Sequence, residues 1–72
     1  MFKRVSIRFL DGTESTGNAY GNNAGWTCLC GEALVGRSYP TTLYRCWCGR
    51  TYTVESDAGT LKAPDRVIEV KA

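Results

Sequence analysis

All four cysteines of the chain fall in one stretch, WTCLCGEALVGRSYPTTLYRCWCGRTYTV, residues 26–54. They make two copies of one phrase, Trp26-Thr27-Cys28-Leu29-Cys30-Gly31 and Tyr44-Arg45-Cys46-Trp47-Cys48-Gly49. Each is Cys-x-Cys-Gly with an aromatic residue two positions ahead, and 15 residues separate the pairs. Two pairs of thiols on two turns suit a tetrahedral metal site, in which zinc takes four thiolates at about 2.3 Å. The glycine after each pair fits that chemistry. A chain folding tightly around a metal needs a left-handed residue there, which glycine adopts without steric cost. Backbone amides in such a turn also point at the sulfurs and stabilise thiolates.

Other readings of the four thiols stay open at this level. A disulfide within Cys-x-Cys would close a small strained ring, because the bond demands particular Cα separations and a near-perpendicular dihedral. Cross-pairing of Cys28 or Cys30 with Cys46 or Cys48 is feasible in an oxidising setting. Iron or another soft metal would also accept four thiolates. The leading expectation is one structural Zn2+ held by Cys28, Cys30, Cys46 and Cys48. A catalytic zinc keeps an open position and usually uses histidine or a carboxylate, and this chain has no histidine. The proposed site consumes every thiol, Glu32 and Glu55 have no evident partner base, and no glycine-rich phosphate loop is present. The expectation is therefore a non-enzymatic protein with no small-molecule substrate.

Residues 26–54 resemble a zinc ribbon: two ligand-bearing knuckles, each ending in glycine, the second at the tip of a β-hairpin. The resemblance covers 29 of the 72 residues. It implies Cys28 and Cys30 as the first knuckle, Cys46 and Cys48 as the second, and a hairpin of residues 43–46 with 51–55. The usual knuckle has two residues between its cysteines, and here both have one, which gives a tighter turn.

The elements that must position these knuckles read as strands. In Met1 to Leu10, Val5, Ile7 and Phe9 alternate with Arg4, Ser6 and Arg8, the period of a strand with one buried face. Asp11-Gly12 is a turn dipeptide that sends the chain back into a second strand near residues 13–16. GNAYGNNAG, residues 17–25, reads as a loop, rich in residues that tolerate positive φ. Within the spacer 32–45, Tyr39-Pro40 and Thr41-Thr42 suggest a turn or an extended excursion. Residues 56–64 are irregular, and RVIEVK, residues 66–71, is a last strand. No helical periodicity is sustained. The expected fold is all-β: one small zinc-ribbon-like domain over residues 1–72, its ribbon segment at 26–55, with added flanking strands at about 2–16 and 66–71.

Seventy-two residues bury a thin core, so a staple is expected. A formal charge of +2 is weakly basic. No signal peptide or apolar span is visible, which makes a cytoplasmic setting and no membrane role the default. Trp47, between two cysteines, either covers the site or packs on the flanking strands, or else points outward beside Arg45 and Arg50, where it could stack on single-stranded nucleic acid. Trp26, Tyr44, Tyr52 and Val54 are expected to pack around the site. With Arg37, Lys3, Arg4 and Arg8 as further cations, the leading expectation of function is nucleic-acid or transcription-linked binding, a role the zinc-ribbon resemblance implies. The alternative is a protein-interaction module, such as a small viral or microbial regulator docking on a larger host complex. A structural accessory subunit is a third.

Overall fold

A computed structural model of the protein describes residues 2–40 and 42–71. Met1 of the expected first strand and Thr41 of the expected turn lie outside the described residues. The described chain is all-β: β1 (Phe2–Arg8), β2 (Glu14–Tyr20), β3 (Asn23–Thr27), β4 (Ala33–Arg37), β5 (Tyr44–Arg45), β6 (Thr51–Glu55) and β7 (Arg66–Val70). They form one seven-stranded sheet in the order β4-β3-β2-β1-β7-β6-β5. Neighbours are antiparallel except β1 and β7, which run parallel over Ser6–Arg8 and Arg66–Ile68. The sheet curls until it is nearly a closed barrel. No helix among the described residues is long and apolar enough to cross a membrane.

The inward face reflects the period-two pattern. Val5, Ile7 and Phe9 of the first hairpin meet Tyr52, Val54 and Val67 from β6 and β7, all buried. Trp26 enters from β3, its ring edge-on to Tyr52 at 5.7 Å and to Tyr44 at 6.0 Å. Aromatic pairs in this edge-to-face range gain something beyond their buried area.

Several expectations are corrected. Residues 17–25 are not a loop: they lie almost wholly within β2 and β3, joined by Gly21 and Asn22 alone, with Gly21 at φ 58°. Gly21 at the first position is the requirement of a two-residue hairpin turn whose twist matches the strands. The inward residues here are Gly17, Ala19 and Ala24, all small and buried, with Trp26 packed close to Gly17. A Cβ on Gly17 would collide with the Gly25 carbonyl oxygen and crowd Trp26 and Ile7. The spacer 32–45 also holds a full strand, β4, that the sequence pattern did not mark, ahead of Tyr39-Pro40, where a turn or extended excursion was expected and no strand forms. The first return strand is longer than 13–16, and the second knuckle's first arm is only Tyr44–Arg45.

The sheet has two free edges, β4 and β5, brought face to face by the curl. At one end, past Arg37, Tyr44 fastens them. Its hydroxyl accepts from the Arg37 backbone N–H at 2.8 Å and donates to the Arg37 carbonyl at 2.9 Å. Gly36 makes this possible, since a Cβ there would stand 2.7 Å from the Tyr44 ring. Ser38, buried, ties the 56–65 loop to the same end: its carbonyl accepts from Leu61 N–H at 3.1 Å, and its hydroxyl donates to the Lys62 carbonyl at 3.3 Å. The cysteines sit at the opposite end.

Candidate metal centre

The two cysteine phrases fold into the same turn. In residues 28–32 the Cys28 N–H donates to the Glu32 carbonyl at 2.8 Å and the Gly31 N–H to the Cys28 carbonyl at 2.9 Å. In residues 46–50 the Cys46 N–H donates to the Arg50 carbonyl at 2.8 Å and the Gly49 N–H to the Cys46 carbonyl at 2.9 Å. Gly31 and Gly49 have φ of 96° and 101°. This is a three-residue hairpin loop closed by a glycine in the left-handed region. It accounts for the single-residue spacer: the first and third residues of each five-residue turn, Cys28 with Cys30 and Cys46 with Cys48, both bring their sulfurs to one cluster.

The same turn occurs a third time, without cysteine. In Phe9-Leu10-Asp11-Gly12-Thr13 the Phe9 N–H donates to the Thr13 carbonyl at 2.9 Å and the Gly12 N–H to the Phe9 carbonyl at 3.0 Å, with Gly12 at φ 89°. The strand directions put all three turns at one end of the barrel. In each, the first residue (Phe9, Cys28, Cys46) is buried and the second (Leu10, Leu29, Trp47) is exposed.

The four Sγ atoms lie within 4.8 Å of one another. Across the turns, Cys28 and Cys48 approach to 3.5 Å, and Cys30 and Cys46 to 3.4 Å. A tetrahedron with metal–sulfur bonds of about 2.3 Å has edges of about 3.8 Å, so the donor set fits one tetrahedral thiophilic ion. Among the described residues these four are the only group of three or more His, Cys, Asp or Glu side chains placed to hold a metal. Cys28 and Cys46 are buried, and Cys30 and Cys48 face solvent.

The surroundings supply positive charge and donors. The Arg50 backbone N–H, opposed by desolvation and joined by the Arg50 guanidinium 3.8 Å from the sulfur, draws the Cys48 thiol down to about 6. The Cys48 N–H draws on Cys46, but desolvation and the crowded thiols outweigh it and push Cys46 up to about 12. At Cys30 the Glu32 N–H pulls downward and is overcome by desolvation and the Cys28 and Cys48 thiols. Four thiols in one small volume thus resist losing all their protons, and a bound divalent cation reverses that resistance.

Two side chains that the sequence pattern did not single out as partners of the sulfurs support the site. Tyr52, fully buried, donates its hydroxyl to Cys28 Sγ at 3.2 Å. Glu69, buried at the end of β7, sits 3.6 Å from Arg50 Nε and accepts from the Leu10 N–H at 3.1 Å, linking the cysteine-free turn to the site. Neither partnership is local, since each joins residues far apart in the chain.

Of the expected binding residues, the structure gathers Arg45, Trp47 and Arg50 at the turn end, with Arg8 nearby in an ion pair to Glu14 at 3.7 Å. Trp47 points outward and is 83% exposed, so it does not cover the thiols. Trp26, Tyr52 and Val54 are buried beside the site and Tyr44 packs on them. Lys3 and Arg37 lie toward the other end, Lys3 2.7 Å from Asp65 and Arg37 donating to Asn23 at 2.7 Å. Arg4 is on the outer face of β1. Comparison with protein-family models, characterised proteins and solved structures finds no match to the chain.

Proposed function

We propose that this chain is a non-enzymatic binding module of zinc-ribbon type, folded around one structural zinc and docking on another protein through its turn end. The observation that carries the reading is where the four thiols come from. Cys28 and Cys30 stand on the β3–β4 turn, Cys46 and Cys48 on the β5–β6 turn, and β4 and β5 are the two edges of the sheet. A metal there closes the barrel at the end opposite the Tyr44 clasp. When bound, zinc supplies a cross-link worth on the order of 10 kcal/mol in small metal modules. The chain's residues do the rest: Tyr52 and Arg50 donate to the sulfurs, Glu69 holds Arg50, and the two glycines allow the turns.

Protein is favoured over nucleic acid as the partner by the distribution of charge. At the turn end Arg8, Arg45, Arg50 and Lys71 are interleaved with Asp11, Glu14, Glu32 and Glu69, an even balance, to which four thiolates and a dication would add net negative charge. A phosphate-binding surface needs a clear cationic excess. Exposed apolar tips ringed by mixed charge suit protein contacts. A place in transcription machinery rests on the family resemblance, and Trp47 between Arg45 and Arg50 is the feature that supports stacking on single-stranded nucleic acid.

Native mass spectrometry with elemental analysis tests the metal: one zinc per chain, lost with the fold on chelation, is expected, and a metal-free folded protein with reduced thiols overturns the reading. Titration with an oligothymidylate strand, monitored by Trp47 fluorescence across a salt series, tests the partner class. Little binding at physiological salt is expected; tight binding with a steep salt slope would make nucleic acid the partner.

A further inference from the structure

The cysteines touch in pairs across the two turns, not within them, and each contact joins one buried sulfur to one exposed sulfur. Cys28, buried, meets Cys48, exposed, at 3.5 Å; Cys46, buried, meets Cys30, exposed, at 3.4 Å. Within a turn, a bridge between the first and third residues of a Cys-x-Cys loop would have to distort a hairpin closed by two backbone hydrogen bonds. We propose that the four thiols are a two-form clasp: oxidation by a hydroperoxide releases the metal and leaves the cross-turn disulfides Cys28–Cys48 and Cys30–Cys46. The inference rests on the reading of these cysteines as metal ligands.

The chemistry starts from the solvent side. Cys30 and Cys48 are the solvent-exposed cysteines, so a peroxide meets them before Cys28 and Cys46. The exposed thiolate attacks one peroxide oxygen, the O–O bond breaks, and a sulfenic acid and hydroxide form. The facing buried thiol, Cys46 for Cys30 and Cys28 for Cys48, attacks that sulfenic sulfur, and water leaves as the S–S bond closes. Each disulfide consumes one hydroperoxide: two sulfurs lose two electrons, and the peroxide oxygens take them with protons supplied by solvent and thiol. Two such events remove every thiolate from the metal, which departs as the free dication.

Either form joins the β3–β4 turn to the β5–β6 turn, so the barrel edges stay closed whether the link is a metal or two disulfides. The hydrogen bonds of the Tyr44 hydroxyl to the Arg37 backbone, toward the other end, use none of the sulfurs. The module would keep its shape in a reducing compartment with metal and in an oxidising one without it. Oxidation would instead change the surface between the exposed tips of Leu29 and Trp47, where a doubly negative metal–thiolate centre becomes neutral.

The test uses the metal-loaded full chain and hydrogen peroxide at a few equivalents. Released metal is read with a chromogenic chelator, the fold by near-ultraviolet circular dichroism, and the linkage by mass spectrometry. Chymotryptic cleavage after Leu29 and Trp47 separates the two cysteines of each turn. Expected are loss of the metal, a mass four hydrogens lower, the pairs 28–48 and 30–46, and a retained aromatic signal. Bridges 28–30 and 46–48, sulfinic acids in place of disulfides, or collapse of the aromatic signal on metal release each overturn the proposal. As a second line, Cys28→Ser/Cys48→Ser leaves the facing pair Cys30 and Cys46, which should oxidise at least tenfold faster than Cys30 and Cys48 in Cys28→Ser/Cys46→Ser; equal rates refute the pairing. If the reduced protein binds no metal, the ligand reading fails, whereas wrong pairs from a metal-loaded protein fail this inference alone.

Discussion

Replacing Tyr52 by phenylalanine removes one oxygen and leaves the ring where Phe9, edge-on at 6.2 Å, and Trp26, at 5.7 Å, hold it. The donor to Cys28 Sγ at 3.2 Å disappears. Burial, and after it the hydrogen bond to Cys28, raises the Tyr52 phenol well above its ordinary range, so the proton stays in place throughout an assay near neutral pH. Losing a hydrogen bond between uncharged groups costs about 0.5–1 kcal/mol. In the loaded protein the acceptor is a metal-bound thiolate, for which such bonds are worth about 1.5–3 kcal/mol. The difference, about 1–2 kcal/mol, predicts roughly tenfold weaker metal binding, within the 10–100-fold range seen for outer-shell partners. Competition against a chromogenic chelator reads the affinity. With cobalt as a spectroscopic stand-in, the thiolate-to-metal charge-transfer band should also move to lower energy, because the Cys28 sulfur loses the bond that withdrew its charge. A variant with unchanged affinity and an unmoved band would show that the hydroxyl does nothing for the metal, and the account of Tyr52 would fall.

Other perturbations have distinct signatures. Trp47→Ala should change stability by no more than about 0.5 kcal/mol in urea unfolding and leave metal content intact, since the side chain is 83% exposed. Gly36→Ala drives a Cβ into the Tyr44 ring and should cost about 2–3 kcal/mol through lost clasp hydrogen bonds and overpacking, read by the same unfolding curves. Gly49→Ala meets no atom within 4 Å, so only backbone strain at φ 101° remains, about 1 kcal/mol. The Lys3 ammonium, with the Asp57 N–H, holds the Asp65 carboxyl below its ordinary value. A depressed folded pKa means stability that is present above the unfolded value, about 3.9, and lost as pH falls through the folded one. The stability difference between the native chain and Asp65→Asn, up to about 1 kcal/mol at neutral pH, should therefore vanish in acid; a difference independent of pH would refute the assignment.

The thiol cluster and the all-β character were legible because both are written in local pattern. Cys-x-Cys-Gly repeats on sight, and Val5, Ile7 and Phe9 alternate in a way only a strand uses. The β2–β3 hairpin was illegible for an equally physical reason: its inward positions are Gly17, Ala19 and Ala24, which are too small to carry a hydrophobic period. The partners of the sulfurs were hidden by distance, since Tyr52 reaches Cys28 across 24 residues and Glu69 meets Leu10 across 59. The kinship of Phe9-Leu10-Asp11-Gly12 with the two cysteine turns was in plain view, but only the shared hydrogen bonds reveal it.

The parallel pairing of β1 with β7 bears on how the molecule carries load. A pull on Phe2 and Val70 draws one strand toward one end of the barrel and the other toward the opposite end. The backbone bonds along Ser6–Arg8 and Arg66–Ile68 are then strained together, in shear, where an antiparallel pair pulled from one side would open bond by bond. The cysteine clasp lies on β3–β4 and β5–β6, away from that seam. Under tension the first rupture should thus be indifferent to whether the clasp is closed, while heat and denaturant, which attack the edges, should depend on it strongly.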